Sequence, residues 1–179
     1  MVRENRCLFV GRLCPEKNPL RLLRLWKEIV GRHPGWKLDI CGEGELDKEV
    51  RAEIVRLSIE DSVQMHGHVS DVSRMYAQRA MLLLCSQTEG LPMVLIEAMR
   101  NGLPVVSTDC SYGPADIVKD GENGFLVPQD DDDAFVDAVS VLIGDDMMRK
   151  EMGRKALETS VWFSREVIIR RWIELFVKR

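Results

Sequence analysis

Short apolar runs alternate along this chain with longer segments of helical period. The runs are 6–11, 36–41, 63–67, 81–86, 104–109 and 125–127, most of them bounded by Gly, Pro, Asn or Asp. Their length and their punctuation are those of buried strands. Between the first two, Leu20, Leu23, Trp26 and Val30 mark one face of a helix. Asn18 is placed to cap it, with Pro19 at the first helical position, where a missing N–H costs nothing. Leu46, Val50, Ile54 and Leu57 predict a second helix over 45–57, and Ser70 is expected to cap a short one holding Val72, Met75 and Tyr76. After the fourth strand a helix with Pro92 near its first position runs to about Arg100 and stops at Asn101-Gly102. Residues 111–118 predict a turn and a short helix. Past Pro128 the pattern is helical throughout: 134–143, 145–159, and a last helix capped by Ser164 and running to about Lys178.

Strands that alternate with helices imply βαβ units, and hence an α/β fold with a parallel sheet covered on both faces. A doubly wound, Rossmann-like sheet of about six strands in the order 3-2-1-4-5-6 is expected, as one domain over 1–179, with 145–179 a helical extension. Ligands of such sheets lie at the carboxyl edge. Loops 11–17, 42–44, 67–70, 86–92 and 109–114 all fall there. The last helix carries Val167, Ile168, Trp172, Ile173, Leu175 and Phe176. It is too apolar for a free surface and must pack either on its own sheet or on another domain.

Composition narrows the function. A net charge of −4 over 179 residues leaves no basic footprint for nucleic acid. No apolar run approaches the roughly 20 residues of a membrane span, and no leader is read before the first strand. The cysteines (Cys7, Cys14, Cys41, Cys85, Cys110) are odd in number and lack a C-x-x-C pair. They are expected to be small buried hydrophobes of a reduced, cytoplasmic protein. His66 and His68 lack a third ligand at metal spacing, and 130–133, four aspartates, suit a helix N-terminus better than a metal. No metal and no cofactor are expected. No Gly-x-Ser-x-Gly elbow is present for hydrolysis.

Residues 85–99 concentrate the chemistry. A strand, a Glu-Gly turn and a helix N-terminus form an anion site, because free N–H groups and the positive dipole end point outward. Gly90, Leu91, Met93 and Val94 supply those N–H groups, while Pro92 has none. Glu89 and Glu97 bracket the site, and carboxylates beside a phosphate are best spent on hydroxyls. Eight helical residues would rise roughly 12 Å. That spacing suits a diphosphate with a hydroxylated ring at each end, the shape of a nucleotide-diphosphate sugar.

The pair Glu89 and Glu97, in the setting Thr-Glu-Gly-Leu-Pro…Ile-Glu-Ala-Met, resembles the E-x7-E motif of the group 1, family-four retaining glycosyltransferases of the GT-B fold. The resemblance spans nearly the whole chain, but only the C-terminal, donor-binding half of such an enzyme. It implies hexosyl transfer from a nucleotide-diphosphate sugar, with UDP the expected nucleotide, in polysaccharide or glycolipid synthesis. By the same resemblance Glu97 bonds the ribose, and Glu89 is the catalytic-site acid beside the transferred sugar. Arg12 and Lys17 hold the diphosphate, Gly42 belongs to a Gly-rich turn, and the main chain near Val69 reads the base. Ser111-Tyr112-Gly113-Pro114 resembles a variant segment at the donor edge. The acceptor-binding N-terminal domain of the family is not in this sequence, so the chain alone is expected to bind donor and transfer poorly. In a full-length enzyme the site would work in the cytoplasm, extending to the inner membrane face. A non-catalytic nucleotide- or sugar-phosphate-binding module is the competing reading. An NAD-dependent dehydrogenase is disfavoured, since Gly11-Arg12-Leu13 stands where Gly-x-Gly-x-x-Gly would follow the first strand.

Overall fold

The computed structural model describes residues 3–177. In chain order the elements are β1 Arg6–Val10, α1 Pro19–Arg32, β2 Lys37–Cys41, α2 Asp47–Leu57, β3 Val63–Gly67, α3 Ser73–Gln78 and β4 Met81–Leu84. They continue with α4 Met93–Arg100, β5 Val105–Asp109, α5 Pro114–Ile117, β6 Gly124–Pro128, α6 Asp132–Gly144, α7 Asp146–Ser160 and α8 Arg165–Val177. The strands form a single parallel sheet in the order β3-β2-β1-β4-β5-β6. This is the doubly wound, Rossmann-like order expected from the alternation of strands and helices.

Successive strand residues feed opposite layers. Phe9, Leu38, Ile40 and Leu83 face Leu22, Trp26, Val50, Phe135 and Val139 of α1, α2 and α6. Leu8, Leu82 and Leu84 face Tyr76, Leu95, Ile96 and Met99 of α3 and α4. Each such side chain fully buried contributes about 1.5–3 kcal/mol. All the cysteines are buried and free.

Some local expectations fail for identifiable reasons. Asn18 does not cap α1 with its side chain. It sits left-handed at φ 51° and ends a 3-10 turn, Pro15–Lys17, by donating its N–H to Pro15 O. The chain must reverse between that turn and α1, and Asn tolerates the left-handed region. Ser70 caps nothing: α3 begins at Ser73, whose N–H is taken by Asp71 Oδ1 at 2.9 Å. Pro92 stands at the start of α4 as expected, one position before its first helical residue. The acidic run behaves as expected, with Asp131 capping α6 through the Ala134 N–H and Asp132 and Asp133 in its first turn. The Ser164 hydroxyl accepts the Val167 N–H at 3.4 Å. Lys178 lies outside the described residues.

Two polar devices that the apolar pattern conceals hold the layers in place. Arg3 donates to the carbonyls of Tyr76 and Arg79 at 2.8 Å, and to Asn101 O at 2.6 Å and Gly102 O at 3.2 Å. It thereby ties the unsatisfied carboxyl ends of α3 and α4 together. Asp39, in the middle of β2 and fully buried, is the hub of a charged cluster. Arg6 Nε and Arg79 Nε each donate to its Oδ2 at 2.6 Å, and His66 Nε2 lies 2.6 Å from its Oδ1.

Candidate functional site

The site begins where the first three strands end. Gly11 N donates to Cys41 O at 3.0 Å, Leu13 N to Glu43 O at 3.0 Å and Gly42 N to Gly67 O at 2.8 Å. These bonds stitch the three exit loops side by side. The stitching forces the glycines: a Cβ on Gly42 would lie 1.8 Å from Gly11 O, and one on Gly44 would lie 2.3 Å from Leu13 O. Gly42→Ala is therefore expected to destabilise the domain by about 1–3 kcal/mol, read from urea unfolding. Between the loops lies a cleft of about 370 Å³, lined by Gly11, Arg12, Gly42, Glu43, Val69 and Val72. Glu43 Oε1 accepts the His68 N–H at 3.1 Å and sets the far wall. Gly42 and Val69 thus fall together, and Arg12 stands exposed at the rim.

Beside the cleft, Lys17 meets Glu89. The 3-10 turn Pro15–Lys17 is pinned to the loop after β4 by Gln87 N donating to Glu16 O at 2.8 Å. Lys17 Nζ then reaches both oxygens of Glu89, at 2.6 and 2.7 Å. Ser86 Oγ donates to Glu89 Oε1 at 2.6 Å from below, so a carboxylate only 7% exposed is held by a cation and a hydroxyl. Ser86 is itself fixed, its carbonyl accepting the Thr108 hydroxyl at 2.8 Å.

The helix that follows departs from the expected geometry. Because α4 starts at Met93, only the second half of the stretch from Glu89 to Glu97 is helical, and the 12 Å estimate for a continuous helix does not apply. Leu95 N is bonded to Pro92 O, and the first-turn N–H groups of Met93 and Val94 have no intrahelical acceptor. Leu91 and Met93 are exposed beside them. Residues 111–114 pack on this turn: Thr88 bridges Ser111, and a Cβ on Gly113 would meet Gly90 O at 2.0 Å. Tyr112 stands at φ 69° with 83% of its surface exposed. Glu97, on the outer face of α4, accepts a hydrogen bond from the buried Tyr76 hydroxyl at 3.0 Å. Tyr76 was legible in the sequence only as an apolar helix residue. Burial and the nearby Glu97 carboxylate push its phenol far up, so it is the donor in that bond.

The His66 ring is committed to Asp39, and among the described residues no group of three or more His, Cys, Asp or Glu is placed to hold a metal ion. A larger cavity, about 610 Å³, opens at the amino edge of the sheet, between Arg3, Asn5, Pro104 and Arg149. Its guanidinium groups already serve backbone carbonyls: Arg3 those of α3 and α4, Arg149 those of Leu142 and Ile143.

The carboxyl edge therefore gathers a cleft, a lysine–glutamate pair, an open helix N-terminus and a second glutamate. The family model for glycosyl transferases group 1 matches residues 2–159 of this sequence. The chain belongs to that family. It is 35% identical over 173 residues to the amylovoran biosynthesis glycosyltransferase AmsD of Erwinia amylovora, covering 97% of this chain and 48% of AmsD. A crystal structure of an S. aureus TarM mutant in complex with Fondaparinux, alpha-GlcNAc-glycerol and UDP superposes with a TM-score of 0.93 at 28% identity, over 98% of this chain and 36% of TarM. The C-terminal domain of the group 1 protein LpcC from Francisella tularensis has the same fold, with a TM-score of 0.78 at 19% identity, over 89% of this chain and 86% of that domain. This group 1 chain thus spans about half the length of AmsD and about a third of TarM, and its fold is that of a C-terminal domain.

Proposed function

We propose that this domain binds the donor of a glycosyltransferase, a UDP-sugar, and presents it for transfer to an acceptor hydroxyl in polysaccharide or glycolipid synthesis. The observation that carries the reading is the Lys17–Glu89 pair, closed at 2.6 Å beside the cleft and at the open end of α4. The base enters the cleft between Gly11, Gly42 and Val69. The ribose meets Glu97. The diphosphate lies across Arg12, Lys17 and the N–H groups of Gly90, Leu91, Met93 and Val94. Glu89 takes the hydroxyls of the sugar.

In this reading the anomeric C–O bond to the diphosphate breaks while an acceptor oxygen bonds to the same carbon from the same face. The acceptor proton passes to the departing phosphate oxygen. The leaving diphosphate gains charge, and Arg12, Lys17 and the helix N-terminus are fixed where that charge develops. Arrival of the diphosphate gives Lys17 a second anionic partner and frees Glu89 for a sugar hydroxyl. The UDP in the TarM complex and the biosynthetic role in the name of AmsD support the reading. Calorimetric titration of this chain with UDP-, GDP- and ADP-sugars tests it. Saturable binding of the UDP-sugar, lost in Glu97→Ala, is expected; heats that are flat for all three would overturn it.

The same reading supplies a partner. No residue of α8 is buried, and Trp172, Ile173, Leu175 and Phe176 are all more than half exposed, with the Trp172 and Phe176 rings stacked at 5.7 Å. Packing on its own sheet is therefore not what this helix does. An acceptor-binding N-terminal domain of the full-length enzyme is the proposed cover. This chain alone is expected to self-associate through α8. Trp172→Glu with Phe176→Glu should return it to a monomer in analytical ultracentrifugation. Among the described residues no helix is long and apolar enough to cross a membrane.

A further inference from the structure

We propose that Tyr76 is a positioning residue for ribose recognition: its buried hydroxyl anchors one oxygen of Glu97 so that the other is aimed at the sugar hydroxyls of the nucleotide. The inference rests on the donor-site reading above and adds a residue to it. Glu97 lies on the exposed face of α4, where a glutamate is free to sample many rotamers. Here it is not free. Tyr76, 2% exposed, donates to Oε2 at 3.0 Å, while Oε1 makes no protein hydrogen bond among the described residues. A carboxylate held by one oxygen keeps the other oriented, which removes the ordering cost from the binding step.

The surroundings favour positioning over incidental satisfaction of a phenol. Tyr76 stands one turn of α3 beyond Val72, bonded to it through Tyr76 N and Val72 O at 3.0 Å, and Val72 lines the cleft. One short helix thus carries both the cleft wall and the Glu97 anchor. The same Arg3 guanidinium that caps the end of α3 at Tyr76 O also caps α4 at Asn101 O, four residues beyond Glu97. The spacing of the two helices, and with it the Tyr76–Glu97 bond, is fixed from the amino edge of the sheet.

The experiment compares UDP with 2′,3′-dideoxy-UDP, which lacks both ribose hydroxyls, by calorimetry on this chain. The variants are Tyr76→Phe, Glu97→Gln and their combination, with the melting temperature of each recorded. The unsubstituted chain is expected to favour UDP by roughly 10-fold or more. Tyr76→Phe, which keeps the ring, should cut that ratio about five-fold and leave dideoxy-UDP binding nearly unchanged. In the Glu97→Gln background it should cut the ratio no further. A Tyr76→Phe variant that melts lower but keeps the full ratio would overturn the proposal and reduce Tyr76 to a packing residue. If the unsubstituted chain bound UDP no better than the dideoxy analogue, the donor-site reading itself would fall, and the proposal with it.

Discussion

Asp39→Asn is expected to cost the domain about 3–5 kcal/mol, the loss found when a buried charge cluster is stripped of one sign. Arg6, Arg79 and His66 all converge on this carboxylate, which has no solvent exposure. Asparagine keeps the shape but leaves Arg6 and Arg79 with the half-exposed Glu4 as their remaining anion. A loss of this size is a large share of the 5–15 kcal/mol of a typical domain. Urea unfolding at neutral pH measures it. Burial alone would raise the Asp39 pKa, but the hydrogen bonds from Arg6 and His66 and the charges of Arg6 and Arg79 outweigh it and hold the carboxyl below its usual range. The sign of the pH dependence follows. Between the lowered folded value and the unfolded value of about 3.9, the unfolded chain binds more protons. The stabilisation is therefore complete above about pH 4 and is lost as the pH falls through the folded value. The Asn variant should lack this acid-sensitive component, so its stability should fall less than that of the native chain below pH 4.

Lys17→Ala is expected to weaken UDP binding by about 1.5–3 kcal/mol, or roughly 10- to 150-fold, the worth of a charged hydrogen bond. Removing the ammonium also leaves Glu89 uncompensated where the distal phosphate is proposed to lie, so repulsion adds to the lost attraction. Two comparisons separate these effects. Binding of uridine, which has no phosphate, should change little. In the Lys17→Ala, Glu89→Gln double variant, part of the UDP affinity should return. Titration calorimetry at low and at physiological salt reads both, and the Lys17 contribution should shrink as salt rises. Equal losses for uridine and UDP would show that the substitution disturbs the cleft and not a phosphate contact.

The fold was largely legible from the chain because hydrophobic period and length differ so clearly between its strands and helices. Residues 81–84, uniformly apolar, have one solution in a doubly covered sheet, and the β1–β2–β3 side follows from the same pattern. The errors fell where local chemistry has several solutions. Asn18 was a plausible side-chain cap, and became instead the left-handed joint between two helical turns. Ser70 suits a cap for α3, which begins instead at Ser73 with its N–H on Asp71. Of the site, Arg12, Gly42 and Val69 were brought to one cleft and Lys17 to Glu89, as the convergence of loops at the carboxyl edge implied. Tyr76, Ser86 and Arg3 were missed. A tyrosine at an apolar helical position and an arginine near the start carry no local mark of the partners they reach across the fold, and Ser86 carries none of the turn that folds its hydroxyl onto Glu89 three residues on.

By itself the sequence determined the order of elements, the doubly wound sheet and the edge at which chemistry would gather, because those depend on periodicity and on the handedness of βαβ connections. Only the tertiary structure decided which oxygen each hydrogen bond occupies: that Glu89 is clasped by Lys17 and Ser86, that Glu97 leans on Tyr76, that Asp39 lies among three basic side chains, and that α8 stays uncovered. Most of these pairings join residues more than twenty positions apart, and even Ser86 and Glu89, three apart, meet only through the turn between them. They are set by how layers pack to within an ångström, a quantity that no local pattern of polar and apolar residues encodes.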